Sequence, residues 1–172
     1  MSAFDQAFNI VIGHEGGYSR DPQDRGNWTG GKVGQGVLRG TKYGISAAAY
    51  PDSDIKNLSL WQAKEIYKRD YWDRVAGDKL PPGIAFVSFD AAVNAGVSRA
   101  IRWLQQGLDV PADGRMGPQT IRAAAAVKDI RPVIVEMLAR RAEHNRSTDA
   151  IELYGLGWSR RLFSVAFQAM DF

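Results

Sequence analysis

The chain has 172 residues, 45% of them apolar, and a formal net charge of +3, which predicts a globular protein with one compact core or two small packed lobes. It has no cysteine and only two histidines, His14 and His144, so disulfides, thiolate nucleophiles and metal sites built from cysteine or several histidines are excluded. No apolar run approaches the roughly 18 residues of a membrane span, and the N-terminus has no signal-peptide pattern. We therefore expect synthesis in the cytoplasm without a signal peptide, and no insertion into a membrane.

The positive charge lies in the second half of the chain. Residues 1–93 carry equal numbers of acidic and basic residues, whereas residues 94–172 carry 11 basic residues, ten of them arginine, against 8 acidic ones. A basic surface can dock on an anionic polymer, and both nucleic acid and the carboxylate- and phosphate-bearing bacterial cell wall are candidates. A solvated basic face with no partner is an equally good interpretation of a charge of this size.

The first predicted helix, residues 3–14, ends beside a carboxyl group that could act as an acid. Its apolar residues recur at spacings of three and four, so one face should pack on a core. Glu15 follows in the last turn, before Gly16 and Gly17, where the negative end of the helix dipole and partial burial would both raise its pKa. A carboxylic acid that stays protonated near neutral pH can protonate the leaving oxygen in glycoside cleavage. An exposed glutamate before a glycine helix stop is an equally good interpretation.

The polar, glycine-rich segment 18–43 is predicted to form loops and a short β-hairpin, and residues 44–46 to lead into a short helical stretch that Pro51 ends. Asp21 and Asp24 follow Glu15 by six and nine residues. Either could supply the second carboxylate that a glycosidase needs opposite its acid. Each could equally be a turn residue, since Asp-Pro is a common turn opener.

Aromatic side chains in this half could stack on sugar rings. The candidates are Trp28, Tyr43, Tyr71 and Trp72. Trp28 lies in the glycine-rich loop with little local core to join, so we expect it to line a cleft. Trp61 and Trp72 lie at helical spacing, which favours the core.

The remaining sequence is predicted to be helical. Ser59 to Gln62 match a capping box that opens a helix through about Asp73. Pro82 starts the next helix, whose residues 84–93 are apolar nearly all round, which predicts a buried central helix. Further helices are predicted at 98–107, 118–127, 132–145 and 158–170, with Pro118 and Pro132 in first turns.

The central helix has two polar exceptions, Asp90 and Asn94, which lie one turn apart on one face. They could reach a substrate across the floor of a cleft. Hydrogen bonding to backbone is the commoner role of such residues. Arg115, in the turn 113–120, is expected to be exposed and is a candidate contact to an anionic polymer, or else a plain surface charge.

Several ordered motifs give the chain a family resemblance. The runs HEGGY, DP, TKYGIS, LSLWQAKEIYKRDYW and LPPGIAFVSFDAAVNAG resemble glycoside hydrolase family 108, the lysozyme-like muramidases of phages and bacteria, and WLQQGLDVPADGRMGPQT resembles the peptidoglycan-binding segment that usually follows. The resemblance implies a mainly α (α+β) lysozyme-like fold with a helical core, a small β-hairpin wall and a helical C-terminal lobe. Residues 1–95 would be the catalytic domain and residues 96–172 the peptidoglycan-binding domain.

The resemblance also implies site residues. The glutamate of the EGGY motif is the family's catalytic residue, which corresponds to Glu15 as general acid in cleaving the β-1,4 bond between N-acetylmuramic acid and N-acetylglucosamine. The spacing from Glu15 to Asp24 resembles that of phage-type lysozymes, whose downstream threonine corresponds to Thr41 or Thr29. The chain departs from the family pattern by inserting NWTGGKVGQGVLRG between the DP and TKYGIS motifs.

The sequence thus predicts a peptidoglycan hydrolase, a bacteriolytic endolysin-like muramidase that acts as a monomer on glycan strands in the periplasm or cell wall after release from the cytoplasm. No metal, organic cofactor or nucleic-acid partner is implied. The predicted catalytic residues are Glu15 and Asp24, and the predicted substrate-binding residues are Trp28, Thr41, Tyr43, Asp90, Asn94 and Arg115.

Two other functions fit the same sequence. A lytic transglycosylase would cut the same bond with one glutamate and leave a 1,6-anhydro end, but the acidic residues after Glu15 favour hydrolysis. A non-catalytic wall-binding adaptor would help a secreted partner cross the peptidoglycan, but the intact EGGY motif argues against it.

Overall fold

The computed structural model describes residues 1–13, 17–148 and 151–172. Within these ranges the α-helices are α1 (Ala3–Ile12), α2 (Leu60–Tyr67), α3 (Pro82–Ala95), α4 (Val97–Gly107), α5 (Pro118–Ala125), α6 (Arg131–Arg146) and α7 (Ile151–Gln168), and the strands β1 (Thr41–Lys42) and β2 (Ile45–Ser46) form an antiparallel pair. The prediction of a mainly α protein with a small β part is confirmed. No helix in the described ranges is long and apolar enough to cross a membrane.

The chain divides into two compact units. The smaller unit is residues 8–67, and the larger unit is residues 1–7 together with 68–172. The predicted boundary between residues 95 and 96 is a different division, because it separates a catalytic domain from a peptidoglycan-binding domain. That boundary stays a prediction.

The larger unit is built on α3, as its apolar sequence predicts. Every residue of α3 from Gly83 to Ala92 is buried, and the helix packs against α4, α6 and α7. Phe89 on α3 belongs to an aromatic cluster with Phe4 and Trp72, whose ring centroids lie 5.4–5.9 Å apart. Trp72 is fully buried, so its prediction as a core residue is confirmed.

Helix boundaries in this unit follow the predicted start signals. Pro82, Pro118 and Pro132 all lie in the first turn of their helices, where a missing N–H removes no helical hydrogen bond. Gly96, with φ 91°, separates α3 from α4, and this left-handed backbone favours glycine.

The smaller unit contains the β structure. Tyr43 and Gly44 connect β1 to β2 with φ values of 52° and 74°, the positive values that a two-residue type I′ hairpin requires. The prediction that residues 44–46 lead into a short helical stretch before Pro51 is wrong, because Ile45 and Ser46 form β2 and residues 47–49 form a turn. Within residues 18–43, isolated bridges join Ser19 to Thr41 and Trp28 to Leu38.

The capping box predicted for α2 is confirmed in both directions. The Gln62 N–H donates to Ser59 Oγ (3.1 Å), and the Ser59 N–H donates to Gln62 Oε1 (2.8 Å). Helical structure continues beyond α2 as a π-helical turn at Lys68–Trp72, which accounts for the predicted extent to about Asp73. Trp61 is 70% exposed, so its prediction as a core residue is wrong.

Helix α1 ends two residues earlier than predicted. Its last residue is Ile12, and Gly13 follows with φ 61°, so Gly13 stops the helix in the left-handed conformation that glycine tolerates best. The residues predicted to form its last turn, His14 and Glu15, lie outside the described residues.

Candidate functional site

Glu15, the predicted general acid, lies outside the described residues. Among the described residues, the candidate site begins with the turn that follows Glu15 in the sequence, in the smaller unit. Asp24 is exposed and caps a short 3-10 helix, Arg25–Asn27, because its Oδ1 accepts a hydrogen bond from the Gly26 N–H at 2.8 Å. Asp21 is also exposed, and its Oδ1 accepts a hydrogen bond from the Gln23 N–H at 2.8 Å. Both candidate carboxylates are thus turn residues as well, and we call residues 21–26 the aspartate turn.

A fully buried asparagine holds this turn in place. Asn27 is 0% exposed. Its Nδ2 donates to the Asp21 carbonyl (2.9 Å), its backbone N–H donates to the Asp24 carbonyl (3.1 Å), and its Oδ1 accepts a hydrogen bond from Thr41 Oγ1 (2.7 Å). Asn27 therefore links the two aspartates to the predicted threonine, although nothing in its sequence context marks it as a site residue.

The two candidate threonines have different roles in the smaller unit. The hydroxyl of Thr41 bonds to Asn27, and its backbone pairs with Ser19 in both directions (2.8 and 2.9 Å). Thr29 Oγ1 instead accepts a hydrogen bond from the Val37 N–H at 2.9 Å, and so closes the inserted loop on itself. Thr41 is thus the threonine that is connected to the aspartate turn.

The two predicted sugar platforms in this unit are half-buried. The indole N–H of Trp28 donates to the Pro22 carbonyl at 2.9 Å, which fixes the ring beside the aspartate turn. Tyr43 lies in the β1–β2 turn, with the Lys42 ammonium 5.3 Å from its ring centroid. The Tyr43 carbonyl accepts a hydrogen bond from the Tyr67 hydroxyl at 3.1 Å. Their contact with a sugar stays a prediction.

In the larger unit, Asp90 forms a buried ion cluster. Asp90 is 1% exposed, and its two carboxylate oxygens accept hydrogen bonds from Arg141 of α6 and Arg161 of α7. Arg141 is itself buried, whereas the side chain of Arg161 is 37% exposed. This geometry favours the structural interpretation of Asp90, because both oxygens are used in joining α3 to α6 and α7.

Asn94 lies one turn further along α3, on the wall of a small pocket. Its Nδ2 donates to the Asp90 carbonyl at 2.8 Å. The pocket has a volume of about 160 Å³ and is lined by Asn94, Ala95, Arg141, His144, Asn145, Thr148 and Trp158. Burial, and then the charge of Arg99, lower the pKa of His144 from its ordinary value of 6.5, so this imidazole is uncharged at neutral pH.

Arg115 is exposed on a loop that a buried glutamine holds. Gln105 of α4 is 2% exposed, and its Nε2 donates to Asp113 Oδ1 (2.8 Å), the Arg115 carbonyl (3.1 Å) and Thr120 Oγ1 (3.2 Å). Its Oε1 accepts a hydrogen bond from the Gly114 N–H at 2.8 Å. The loop backbone is therefore fixed, while the Arg115 side chain remains available at the surface.

Apart from Glu15, the candidate residues form three groups. The first is the aspartate turn with Asn27, Trp28, Thr41 and Tyr43 in the smaller unit. The other two are the face of α3 with Asp90 and Asn94, and the Arg115 loop. Among the described residues, no group of three or more His, Cys, Asp or Glu side chains could hold a metal ion.

Comparison with known proteins defines the class. The solved structure of SagA from Brucella abortus is 30% identical to this chain with a TM-score of 0.80, and the alignment covers 98% of this chain and 94% of that one. This likeness bears out the lysozyme-like fold. The family model described as Glycosyl hydrolase 108 matches residues 8–96, half of the chain.

The chain therefore belongs to glycosyl hydrolase family 108. No curated protein sequence matches it. The family match ends at residue 96, so the peptidoglycan-binding role of the second half stays a prediction.

Proposed function

We propose that this protein is a peptidoglycan hydrolase, an N-acetylmuramidase that cleaves the β-1,4 bond between N-acetylmuramic acid and N-acetylglucosamine. The observation that carries the proposal is the glycosyl hydrolase 108 match over residues 8–96, a range that includes both Glu15 and Asp24. It acts on the wall in the periplasm or outside the cell, after release from the cytoplasm.

In this mechanism Glu15 protonates the glycosidic oxygen as the bond to the leaving sugar breaks. The anomeric carbon then develops an oxocarbenium-like positive charge, which a second carboxylate stabilises or to which it directs a water molecule. In both cases one water adds to the anomeric carbon and gives a proton to a carboxylate, which completes the hydrolysis. We assign this second role to Asp24. Its Oδ1 is bound by the Gly26 N–H, which orients the carboxylate, and the Asn27–Thr41 bond supports the turn that carries it.

Replacement of the acid tests the proposal. Glu15→Gln keeps the size and hydrogen-bonding capacity of the side chain but has no titratable proton. General acid catalysis is worth roughly 10² to 10⁴ in rate, so we expect a loss of this order in the release of soluble fragments from purified sacculi. Circular dichroism and sacculus pelleting should be unchanged. A folded Glu15→Gln protein with native rates would remove Glu15 from the mechanism.

A further inference from the structure

The smaller unit has a second candidate site, a pocket whose lining does not include Asp21, Asp24 or Asn27. A pocket with a volume of about 450 Å³ is lined by Tyr18, Arg20, Leu38, Arg39, Asp52, Ser53, Asp54, Ile55 and Lys56. This volume lies within the range of sites that bind small molecules or short peptide segments. None of these residues was assigned a role by the catalytic mechanism above.

Two arginines of this pocket are held by backbone carbonyls. Arg20 Nε donates to the Leu38 carbonyl at 3.2 Å, and Arg39 Nη1 donates to the Pro51 carbonyl at 2.8 Å. Each guanidinium carries five N–H donors in a fixed plane, so a single bond orients the group and four donors remain on each. Both side chains belong to exposed residues and can meet a carboxylate in the bidentate geometry that arginine favours.

Tyr18 connects this pocket to the backbone of Arg39. Its hydroxyl donates to the Arg39 carbonyl at 3.0 Å. Gly40 follows, with φ 88°, and a Cβ atom there would lie 2.4 Å from the Ser19 carbonyl oxygen and 2.6 Å from the Tyr18 ring. The sequence requires glycine here because the Tyr18 ring lies directly against the backbone. Tyr18 follows Glu15 by only three residues.

The charges of the pocket select the kind of anion. Arg20, Arg39 and Lys56 are opposed by Asp52 and Asp54, which leaves one net positive charge. Hydrogen bonds from Asn57, and then the charges of Arg39 and Lys56, lower the pKa of Asp54, so it is ionised at neutral pH. These two carboxylates would repel a polyanion such as nucleic acid or a phosphate polymer. A ligand that carries isolated carboxylates, or a carboxylate and an ammonium group, is complementary to the cations and the carboxylates of the pocket.

We infer that this pocket binds the peptide stem of peptidoglycan through its carboxylates. The stem alternates small apolar side chains with carboxylate-bearing residues, which matches a pocket with Leu38 and Ile55 among its apolar lining and Arg20, Arg39 and Lys56 as its cations. This inference rests on the proposed action on peptidoglycan. It adds that the enzyme recognises the peptide stems as well as the glycan to which they are attached.

Binding of a soluble muramyl tripeptide, measured by calorimetry or NMR, tests the inference without requiring turnover. Exposed charges contribute about 0.2–1 kcal/mol each, so Arg20→Gln and Lys56→Gln should each weaken binding roughly 1.5- to fivefold, and the double variant roughly two- to 25-fold. Asp52→Asn should strengthen binding. Lys32→Gln removes an exposed charge of the same unit outside the pocket and should leave the affinity unchanged.

The ligand controls separate recognition of the peptide from recognition of the sugar. The same muropeptide with its carboxylates amidated should bind at least several-fold more weakly, and chitotetraose should bind all variants equally. Native affinity in the double variant, or equal affinity for the amidated muropeptide, would overturn the inference. If circular dichroism shows that Arg20→Gln is unfolded, the other two variants decide. Lys56→Gln should weaken muropeptide binding and Asp52→Asn should strengthen it.

The proposed hydrolysis is tested on a different substrate. Glycan strands freed of peptide by an amidase should be cleaved equally by the native protein and by Lys56→Gln. Absence of cleavage by the native protein would count against the hydrolase proposal, whereas the muropeptide affinities would still decide the role of the pocket.

Discussion

At the scale of single residues, the aspartate turn raises the question of which carboxylate works with the acid. Asp21 and Asp24 each accept one backbone hydrogen bond within their own turn, but only Asp24 caps a helical element. We predict that Asp24→Asn lowers kcat on sacculi more than Asp21→Asn, because loss of charge next to a developing cation acts mainly on kcat. The larger loss in Asp21→Asn would reverse the assignment.

Asn27 connects this turn to Thr41, and its removal should loosen both. Asn27→Ala removes its part-buried hydrogen bonds to the Thr41 hydroxyl and the Asp21 carbonyl, and each such bond contributes about 0.5–1.5 kcal/mol. We therefore predict a loss of roughly 1–3 kcal/mol or more in urea unfolding, together with reduced hydrolysis. Gln35→Ala, at an exposed position of the same loop region, is the control and should change neither. Unfolding that matches the native protein would show that the Asn27 bonds do not hold the turn.

Asp90 presents the opposite case, a candidate site residue whose bonds are structural. Removing its charge leaves Arg141 buried without a counterion, and breaking a buried pair costs about 3–5 kcal/mol. We predict that Asp90→Asn lowers the free energy of unfolding by roughly this amount. Glu136→Gln breaks an exposed ion pair with Arg140 in the same unit and should cost less than about 1 kcal/mol. An Asp90→Asn protein of native stability with impaired substrate binding would return Asp90 to the substrate site.

Two buried polar residues, Arg141 and Gln105, could have been predicted from the sequence. Arg141 follows Ile134 and Met137 at helical spacing on α6, and Gln105 follows Ile101 and Leu104 on α4, so each is a polar residue in an apolar stripe. Such a position predicts a buried hydrogen-bonding or ion-pairing role. Asn27 gave no such signal, because asparagine between glycine and tryptophan in a loop has the pattern of an ordinary turn residue.

At the scale of elements, local signals predicted the helices better than the loops. The capping box at Ser59, the prolines at helix starts and the apolar sequence of α3 are all local chemistry, and the structure has each of them. Strand β2 was missed because it is only two residues long, which is too short for an alternating pattern. The stop of α1 was assigned to the glycine pair after Glu15, although Gly13 came first.

The loop 113–120 is the element that carries the predicted wall contact. Gln105 fixes its backbone, and the hydrogen bonds of the Arg115 N–H and of Gln105 lower the pKa of Asp113. Because this pKa is lowered, the stabilising effect of the carboxylate is present above its ordinary value of 3.8 and is lost as the pH falls through the lowered value. The loop should therefore keep its conformation throughout the neutral range.

Arg115→Glu tests this contact. Because the loop is rigid, we predict that the charge reversal weakens pelleting with sacculi at low salt several-fold, leaves hydrolysis of small chitooligosaccharides unchanged, and removes part of the salt dependence of binding. Arg122→Glu makes the same charge change at an exposed position of α5 and is the matched control. If both variants pellet with sacculi to the same extent as the native protein, the C-terminal half would be a structural helical lobe.

At the scale of the whole molecule, the fold and family fix the class of chemistry, and the bond cleaved depends on the site. The family match covers residues 8–96, and the likeness to SagA of Brucella abortus extends over 98% of the chain. Sequence motifs identify this family because several of them occur in the same order along the chain, and the two longest span the helical segments 60–72 and 82–95. In the second half the residue pattern predicts helices, but the charge and the turn motif do not specify a partner. Its assignment to peptidoglycan binding depends on the family resemblance alone.

We propose that the protein hydrolyses the bond on the reducing side of N-acetylmuramic acid. The most direct test is mass spectrometry of fragments released from purified sacculi by the native protein, after borohydride reduction of new chain ends. We predict fragments that end in reduced N-acetylmuramic acid, and none of these in the Glu15→Gln digest. Fragments that end in reduced N-acetylglucosamine, or 1,6-anhydro products lighter by one water, would contradict the assignment of a muramidase.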